Sequence, residues 1–500
     1  MDEYLKILLD QIRCKKARLY IKQELQDHME DQIEANMSVG MNYEQAEKEA
    51  VRDMGDPVEI GISLDNIHKP QIAWKLLVII AFVSMIGVLI HTGITGRIGG
   101  NLAVASDRYI IHVMIGFMVM MFLYLLDYTV LARFSKIIAA ILLLICFVTL
   151  LFGGTINGSK YFLILPGNEL IPVLMLFYIP IYGAVIYKYH GQGYKGLMKT
   201  IAWMLIPVAL VCRLPAITIA GVMLISMLIM LTIAVQKGWF TVQRKKVICG
   251  LWVSFLTCPV IAAFAIYLKN GLAEYQIERV HTVFSGKSFL RCFWKTNKLV
   301  GESGADITEN LPKFNTDYIL TYLSSVYGTI AAILLCCIVS VLVLAVFNTA
   351  MKQKNQLGMM MGCGCGIVFL VSFLLNVLEN IGIFPQTTTF LPFLSAGESY
   401  IIVSYGLMGI VLSTYRYKNI YPRHLKINIG FDKNKVQQTF YMSKMSMEIL
   451  GEISVVLICS KIYYELCNTY MSIPLKIVTI VLAAILISNM KRIILGNEIS

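Results

Sequence analysis

Long apolar runs separated by short polar segments make up most of this chain of 500 residues. An α-helix needs about 20 apolar residues to cross the ~30 Å hydrocarbon core of a bilayer, and runs of that order recur along the sequence. The pattern predicts ten membrane helices and, near the C-terminus, a two-helix hairpin. The predicted helices lie at about residues 72–94, 109–127, 133–152, 169–187, 199–212, 215–235, 247–268, 318–350, 357–379 and 396–415, and the hairpin at about 447–464 and 473–490.

The first 70 residues differ, because apolar side chains recur there at helical spacing between many charged ones. This spacing predicts a small bundle of amphipathic helices outside the membrane. Asn42 and Gln45 form a capping box that predicts the start of a third helix, and Gly55 predicts its end. The fold class expected is therefore an all-α, polytopic membrane protein. Its predicted domains are 1–70 (helical bundle), 71–416 (transmembrane) and 417–500 (basic linker and hairpin).

Composition strengthens this interpretation. Hydrophobic residues make up 57% of the chain and charged residues 15%, with a mean hydropathy of +0.68, which excludes a soluble domain of this size. The net charge is +12, and Lys and Arg gather in the loops at about 188–199, 237–246 and 352–354. The positive-inside rule then places these loops and the N-terminus in the cytoplasm. The charge predicts contact with anionic membrane lipid and not with nucleic acid.

Asp317 is the last charged residue before a long apolar run that begins at Tyr318. A carboxylate at the mouth of a membrane helix is partly shielded from water, which suits a general base. The alternative is a helix N-cap, because Asn315, Thr316 and Asp317 are all good capping residue types. The position alone does not decide between these roles.

Three polar segments are predicted to lie on the outer face of the membrane together. They are Asn157 to Phe162, a long segment at about 269–316 that leads into Asp317, and Gly382 to Ser399. The third is too rich in Pro, Gly and Thr for a regular helix and predicts a re-entrant loop. Irregular backbone at membrane depth is tolerated where it is buried in protein or lines a wet cavity. The segments are either simple connectors or parts of an outward-facing site for an amphipathic substrate.

These segments resemble the signature loops of the SEDS family (shape, elongation, division and sporulation), which includes the FtsW, RodA and SpoVE proteins. Residues 157–162 are similar to N-G-A/S-K/R-x-W, residues 311–319 to L-P-E-x-H-T-D-F-I, and residues 385–399 to P-x-T-G-x-x-L-P-F-x-S-x-G-G-S. The likeness covers about residues 72–416. The N-terminal domain separately resembles the permease-prefix (HAAS-type) domain of some bacterial membrane proteins.

The resemblance implies a peptidoglycan glycosyltransferase that polymerises lipid II, the undecaprenyl-pyrophosphate-linked disaccharide-pentapeptide, on the outer face of a bacterial, Gram-positive cell membrane. It assigns Asp317 the role of general base and implies a class B penicillin-binding protein as the transpeptidase partner, in division, elongation or sporulation. Lys160 and Arg279 are candidates to balance the pyrophosphate charge. A divalent cation, Mg²⁺ or Mn²⁺, is an alternative source of that charge, and no dedicated metal site is predicted. The expected substrate-binding residues are Asn157, Lys160, Phe162, Arg279, Asn315, Thr316, Pro385, Thr387, Pro392, Ser395, Gly397 and Ser399.

Several positions depart from the family pattern. Phe162 stands where the pattern has Trp, Lys313 and Asn315 stand where it has Glu and His, and Glu398 stands where it has Gly. These differences leave open an inactive paralogue that binds lipid II as a scaffold or regulates the transpeptidase. A transporter of lipid-linked precursors is the third interpretation.

Overall fold

The computed structural model describes residues 1–98, 103–156, 159–161, 170–268, 281, 289–303, 313–385 and 387–425. The N-terminal helices are α1 (Asp2–Asp10), α2 (Lys15–Ser38), α3 (Tyr43–Asp53) and α4 (Pro57–His68). Next come α5 (Trp74–Ile98), α6 (Ala103–Leu125), α7 (Tyr128–Arg133), α8 (Ser135–Phe152), β1 (Gly154–Ile156), β2 (Ser159–Tyr161), α9 (Leu170–Leu174), a 3₁₀ turn (Met175–Phe177) and α10 (Tyr178–Lys188). The remaining helices are α11 (Tyr194–Arg213), α12 (Ile217–Gln236), α13 (Arg244–Leu268), α14 (Phe289–Thr296), α15 (Ile319–Tyr327), α16 (Thr329–Met351), α17 (Gln356–Asn380) and α18 (Glu398–Arg416).

The N-terminal bundle has four helices, one more than the sequence patterns identified. The Asn42 side chain accepts a hydrogen bond from the Gln45 amide at 2.8 Å, so the predicted cap of α3 is present. Gly55 has a φ of +82°, the left-handed conformation expected at the end of that helix. Pro57 then begins α4 and does not block it, because the first residue of a helix needs no backbone donor.

The transmembrane part confirms the predicted fold class. Eight described helices are long and apolar enough to cross a membrane, and the other two predicted spans are also helical, as α13 and α18. Large apolar side chains such as Val78, Leu151 and Leu344 are exposed, as expected for surfaces that face lipid. The backbones of α6 and α18 approach closely, since a Cβ on Gly409 would lie 2.6 Å from the Met120 carbonyl oxygen.

The predicted single helix at 318–350 is wrong, because the chain breaks at Gly328 into α15 and α16. Gly328 has φ +97° and ψ 163°, a conformation that is essentially restricted to glycine. The segment that follows α14 crosses at this break, where the Thr329 amide donates to the Lys298 carbonyl at 3.0 Å. The residues before α15 can therefore turn away from the axis of α16. The predicted C-terminal hairpin lies outside the described residues.

Candidate functional site

Asp317 lies at the end of a tight turn that leads into α15. The amides of Thr316 and Asp317 donate to the Lys313 carbonyl at 3.0 and 3.1 Å, and Lys313 has a φ of +59°. The side chain of Asp317 is only 4% exposed. Tyr318, and not Asp317, occupies the N-cap position of α15, and the Tyr318 side chain makes no capping hydrogen bond.

The backbone of Asp317 is fixed by two asparagines of α17. Asn376 and Asn380 each donate a side-chain N–H to the Asp317 carbonyl oxygen, at 2.9 and 3.0 Å. Both asparagines are completely buried. The carboxylate has a different neighbour, because Lys313 Nζ lies 3.4 Å from Asp317 Oδ2, and the Lys313 side chain is 54% exposed. The backbone of Asp317 is thus bound to buried asparagines, while its carboxylate is paired with a cation that reaches the protein surface.

The loop between α17 and α18 packs directly on this turn. The Ser395 hydroxyl donates to the Thr316 carbonyl at 2.7 Å, and the Ala396 amide donates to the Asn315 carbonyl at 3.1 Å. The loop is irregular and buried over residues 389–395, as expected for a re-entrant segment. Two of the three polar segments singled out in the sequence thus meet at Asp317.

The loop is also held from α5 and α6. Phe393 has a φ of +66°, and its carbonyl accepts a hydrogen bond from the Tyr109 hydroxyl at 2.8 Å. His91 Nε2 lies 2.8 Å from the next carbonyl, that of Leu394. These contacts hold the turn that contains Phe393, whose backbone has a conformation that non-glycine residues seldom adopt.

Glu379, on α17, is a second carboxylate in this cluster and was not among the predicted site residues. It is fully buried and accepts hydrogen bonds from the Thr387 amide, the Thr389 hydroxyl and, at 3.3 Å, the Tyr318 hydroxyl. The signal available in the sequence was its position, because an ionisable residue within an apolar helix favours a functional role.

The remaining residues predicted to bind substrate differ in burial and in location. Pro392 is buried, Pro385 and Ser399 are partly exposed, and Gly397 immediately precedes α18. Lys160 lies in β2 opposite Thr155 of β1. Asn157, Phe162 and Arg279 lie outside the described residues. Across the part of the chain that the structure describes, no group of three His, Cys, Asp or Glu side chains could hold a metal ion.

The chain is similar in sequence to proteins of bacterial cell-wall assembly. Residues 68–288 and 298–420 match the cell cycle protein family of FtsW, RodA and SpoVE. The probable peptidoglycan glycosyltransferase FtsW of Enterococcus hirae is 24% identical over 318 residues, which cover 59% of this chain and 75% of that protein. The corresponding FtsW of Acinetobacter baylyi is 25% identical over 302 residues, 56% of this chain and 71% of that protein.

Solved structures share the fold. A structure describing how a peptidoglycan synthase complex coordinates polymerisation and crosslinking contains a chain with a TM-score of 0.57 and 18% identity, covering 69% of this chain and 98% of that one. The rod shape determining protein RodA of Thermus thermophilus has a TM-score of 0.50 and 17% identity, covering 69% of this chain and 97% of that one. Together with the sequence match over both halves of the transmembrane part, this likeness identifies the chain as a member of the FtsW, RodA and SpoVE family.

Proposed function

We propose that this protein is a peptidoglycan glycosyltransferase that polymerises lipid II on the outer face of the cell membrane. The observation that supports it most directly is the setting of Asp317, a buried carboxylate whose backbone is fixed by Asn376 and Asn380. General-base catalysis needs such fixed placement, because the base must lie within hydrogen-bond reach of the proton that it removes. Relatives named as probable peptidoglycan glycosyltransferases support the same activity.

The proposed reaction needs one base. The 4-hydroxyl oxygen of the acceptor sugar forms a bond to the anomeric carbon of the donor, and the bond from that carbon to the pyrophosphate oxygen breaks. The hydroxyl proton passes to the Asp317 carboxylate. Undecaprenyl pyrophosphate leaves as an anion without needing a protein acid, whereas glycosidases use a second carboxylate to protonate a poorer leaving group.

Cations near the leaving group would stabilise its developing charge. Lys160 and Arg279 are the proposed donors of that charge, and Mg²⁺ or Mn²⁺ would serve the same purpose. The Lys and Arg residues gathered in the loops favour a cytoplasmic N-terminus, which puts Asp317 on the outer side.

A class B penicillin-binding protein is the proposed partner for crosslinking. The structural neighbour described for a peptidoglycan synthase complex joins polymerisation to crosslinking. The helices of the described part of this chain provide no soluble transpeptidase domain. A division of labour between this protein and a separate transpeptidase follows from the proposed activity.

Polymerisation of labelled lipid II by the purified protein, with and without that partner, tests the proposal. Asp317→Asn keeps the size of the side chain but removes the base, so we expect at least about a hundredfold loss of glycan synthesis. Asp53→Asn, the same change at an exposed position on α3, is the matched control and should leave synthesis intact. Glycan chains that persist in Asp317→Asn would contradict the assignment of the base. A wild-type protein that binds lipid II but synthesises no glycan would favour the alternative, an inactive paralogue that acts as a scaffold.

A further inference from the structure

We propose that Glu379 is a positioning residue for Asp317. Its buried carboxylate joins the re-entrant loop to the residue that follows Asp317, so that loop and base are held as one unit. The inference rests on the proposed function only for its catalytic consequence, because the contacts themselves can be tested without any activity.

The contacts come from two separate segments of the chain. From the loop, the Thr387 amide donates to Glu379 Oε1 and the Thr389 hydroxyl donates to Oε2. From the start of α15, the Tyr318 hydroxyl donates to Oε1 at 3.3 Å. Tyr318 is bonded to Asp317 through the main chain, which provides a path by which a displacement of Glu379 would reach the proposed base.

The direction of each hydrogen bond follows from the neighbouring asparagine. The side-chain nitrogen of Asn376 lies 2.9 Å from the Asp317 carbonyl and 3.1 Å from Thr389 Oγ1, which uses both of its hydrogens. Thr389 Oγ1 therefore accepts from Asn376, and its own hydrogen remains for Glu379. A continuous chain of hydrogen bonds runs from the Asp317 carbonyl through Asn376 and Thr389 to the Glu379 carboxylate.

This arrangement requires an acceptor without hydrogens of its own. Glu379 meets three donors, and an ionised carboxylate accepts without donating. A glutamine at this position has one oxygen and two N–H hydrogens. If the glutamine oxygen keeps the Thr387 amide and the Tyr318 hydroxyl, its Nε2 group faces Thr389 Oγ1, and the Thr389 hydroxyl hydrogen loses its acceptor. Unpaired donors in a buried site favour a shift of the loop or of Tyr318.

The predicted consequence is a lower turnover with little change in substrate affinity. On the proposed function, many residues of the site would share the binding of lipid II, whereas the position of the base affects the energy of the transition state. Displacing a catalytic group by about 1 Å costs on the order of a hundredfold in rate. We therefore expect Glu379→Gln to lower kcat by about ten- to a hundredfold while KM changes little.

A set of threonine variants tests the same contact with less risk to folding. Thr389→Val removes the hydroxyl at nearly constant volume and should reproduce the loss of kcat, and Thr389→Ser restores the hydroxyl and should rescue it. Thr388→Val is the matched control, since the adjacent Thr388 hydroxyl has no hydrogen bond among the described contacts. Equal kcat values in Thr389→Val and Thr388→Val would overturn the proposal.

Hydrogen–deuterium exchange of the purified protein gives a readout independent of synthesis. The Thr387 amide is bonded to Glu379, so exchange in the peptide covering residues 387–391 should become faster in Glu379→Gln and Thr389→Val, but not in Thr388→Val. Unchanged exchange in the first two would overturn the positioning role. An inactive wild type would contradict the proposed function alone, because exchange would still decide whether Glu379 fixes the loop.

Discussion

At the scale of single residues, the backbone carbonyl of Asp317 is held by two buried side chains. Asn376 and Asn380 lie four residues apart and therefore on one face of α17, and both donate to that carbonyl. Asn380 also accepts from the Thr321 amide at 3.0 Å. One amide side chain thus links the turn that carries Asp317 to the first turn of α15.

Replacing Asn380 by alanine should loosen this link. The Thr321 amide would lose its partner and the Asp317 carbonyl one of its two donors. Each buried polar group left unpaired costs about 1–3 kcal/mol. We expect a lower melting temperature in detergent and slower glycan synthesis. Asn348→Ala, at an exposed position on α16, is the control, and melting temperatures equal to that control would contradict the linking role.

Sequence reasoning reached Asp317 but did not predict its contacts with buried side chains of α17. The resemblance of residues 311–319 to a family motif singled out the aspartate. Glu379, Asn376 and Asn380 are about sixty residues further along the chain, and their contacts with the turn arise only when α17 packs beside it. No local pattern carries information about such pairs, so the chemistry was predictable while the residues that fix its geometry were not.

At the scale of elements, the main difference from the predicted helices is the break at Gly328. The run from Tyr318 to Ala350 is apolar on both sides of the break, so hydropathy indicates one long span. Glycine is also frequent in membrane helices and does not by itself mark an end. The break depends on the backbone of residues 298–301, which passes close to Gly328.

Gly328→Ala should therefore be strongly destabilising. A Cβ there would lie 2.5 Å from the Leu299 carbonyl oxygen, and the required φ of +97° costs a non-glycine residue about 1–3 kcal/mol. Gly221→Ala is the control, because a Cβ on Gly221 within α12 meets nothing within 4 Å. Thermal unfolding in detergent should separate the two variants, and a Gly328→Ala protein as stable as the control would contradict the strain argument.

At the scale of the whole molecule, the N-terminal bundle is docked on the transmembrane part. Lys16 Nζ lies 2.6 Å from Asp127 Oδ2, and the Tyr421 hydroxyl donates to the same oxygen. Burial acts to lower the pKa of Lys16, but the charge and hydrogen bond of Asp127, together with Tyr417 and Cys14, raise that pKa above its ordinary value. Asn419 adds a hydrogen bond to the Ile67 carbonyl at 3.1 Å. The helical spacing of apolar side chains predicted a bundle of helices, but not the surface with which the bundle is in contact.

The contact between Lys16 and Asp127 should contribute measurably to docking, because Asp127 is only 4% exposed and a buried carboxylate needs a compensating charge. Lys16→Met keeps much of the apolar stem but removes the cation. We expect it to lower the free energy of unfolding by about 1.5–3 kcal/mol, the range for hydrogen bonds to charged groups. Lys22→Met, at an exposed position on the same helix, should have little effect.

A double-mutant cycle with Asp127→Asn separates this pair from its surroundings. If the ion pair holds the bundle in place, Lys16→Met should lower the free energy of unfolding much less in the Asp127→Asn background than in the wild type. The partner charge of Lys16 is already absent in that background. Faster hydrogen–deuterium exchange in α2 of both single variants would show that the loss of stability affects the contact between the bundle and the transmembrane part. Additive effects in the cycle would instead assign docking to the neighbouring aromatic contacts, among them the packing of Tyr20 against Tyr421 at 5.6 Å between ring centroids.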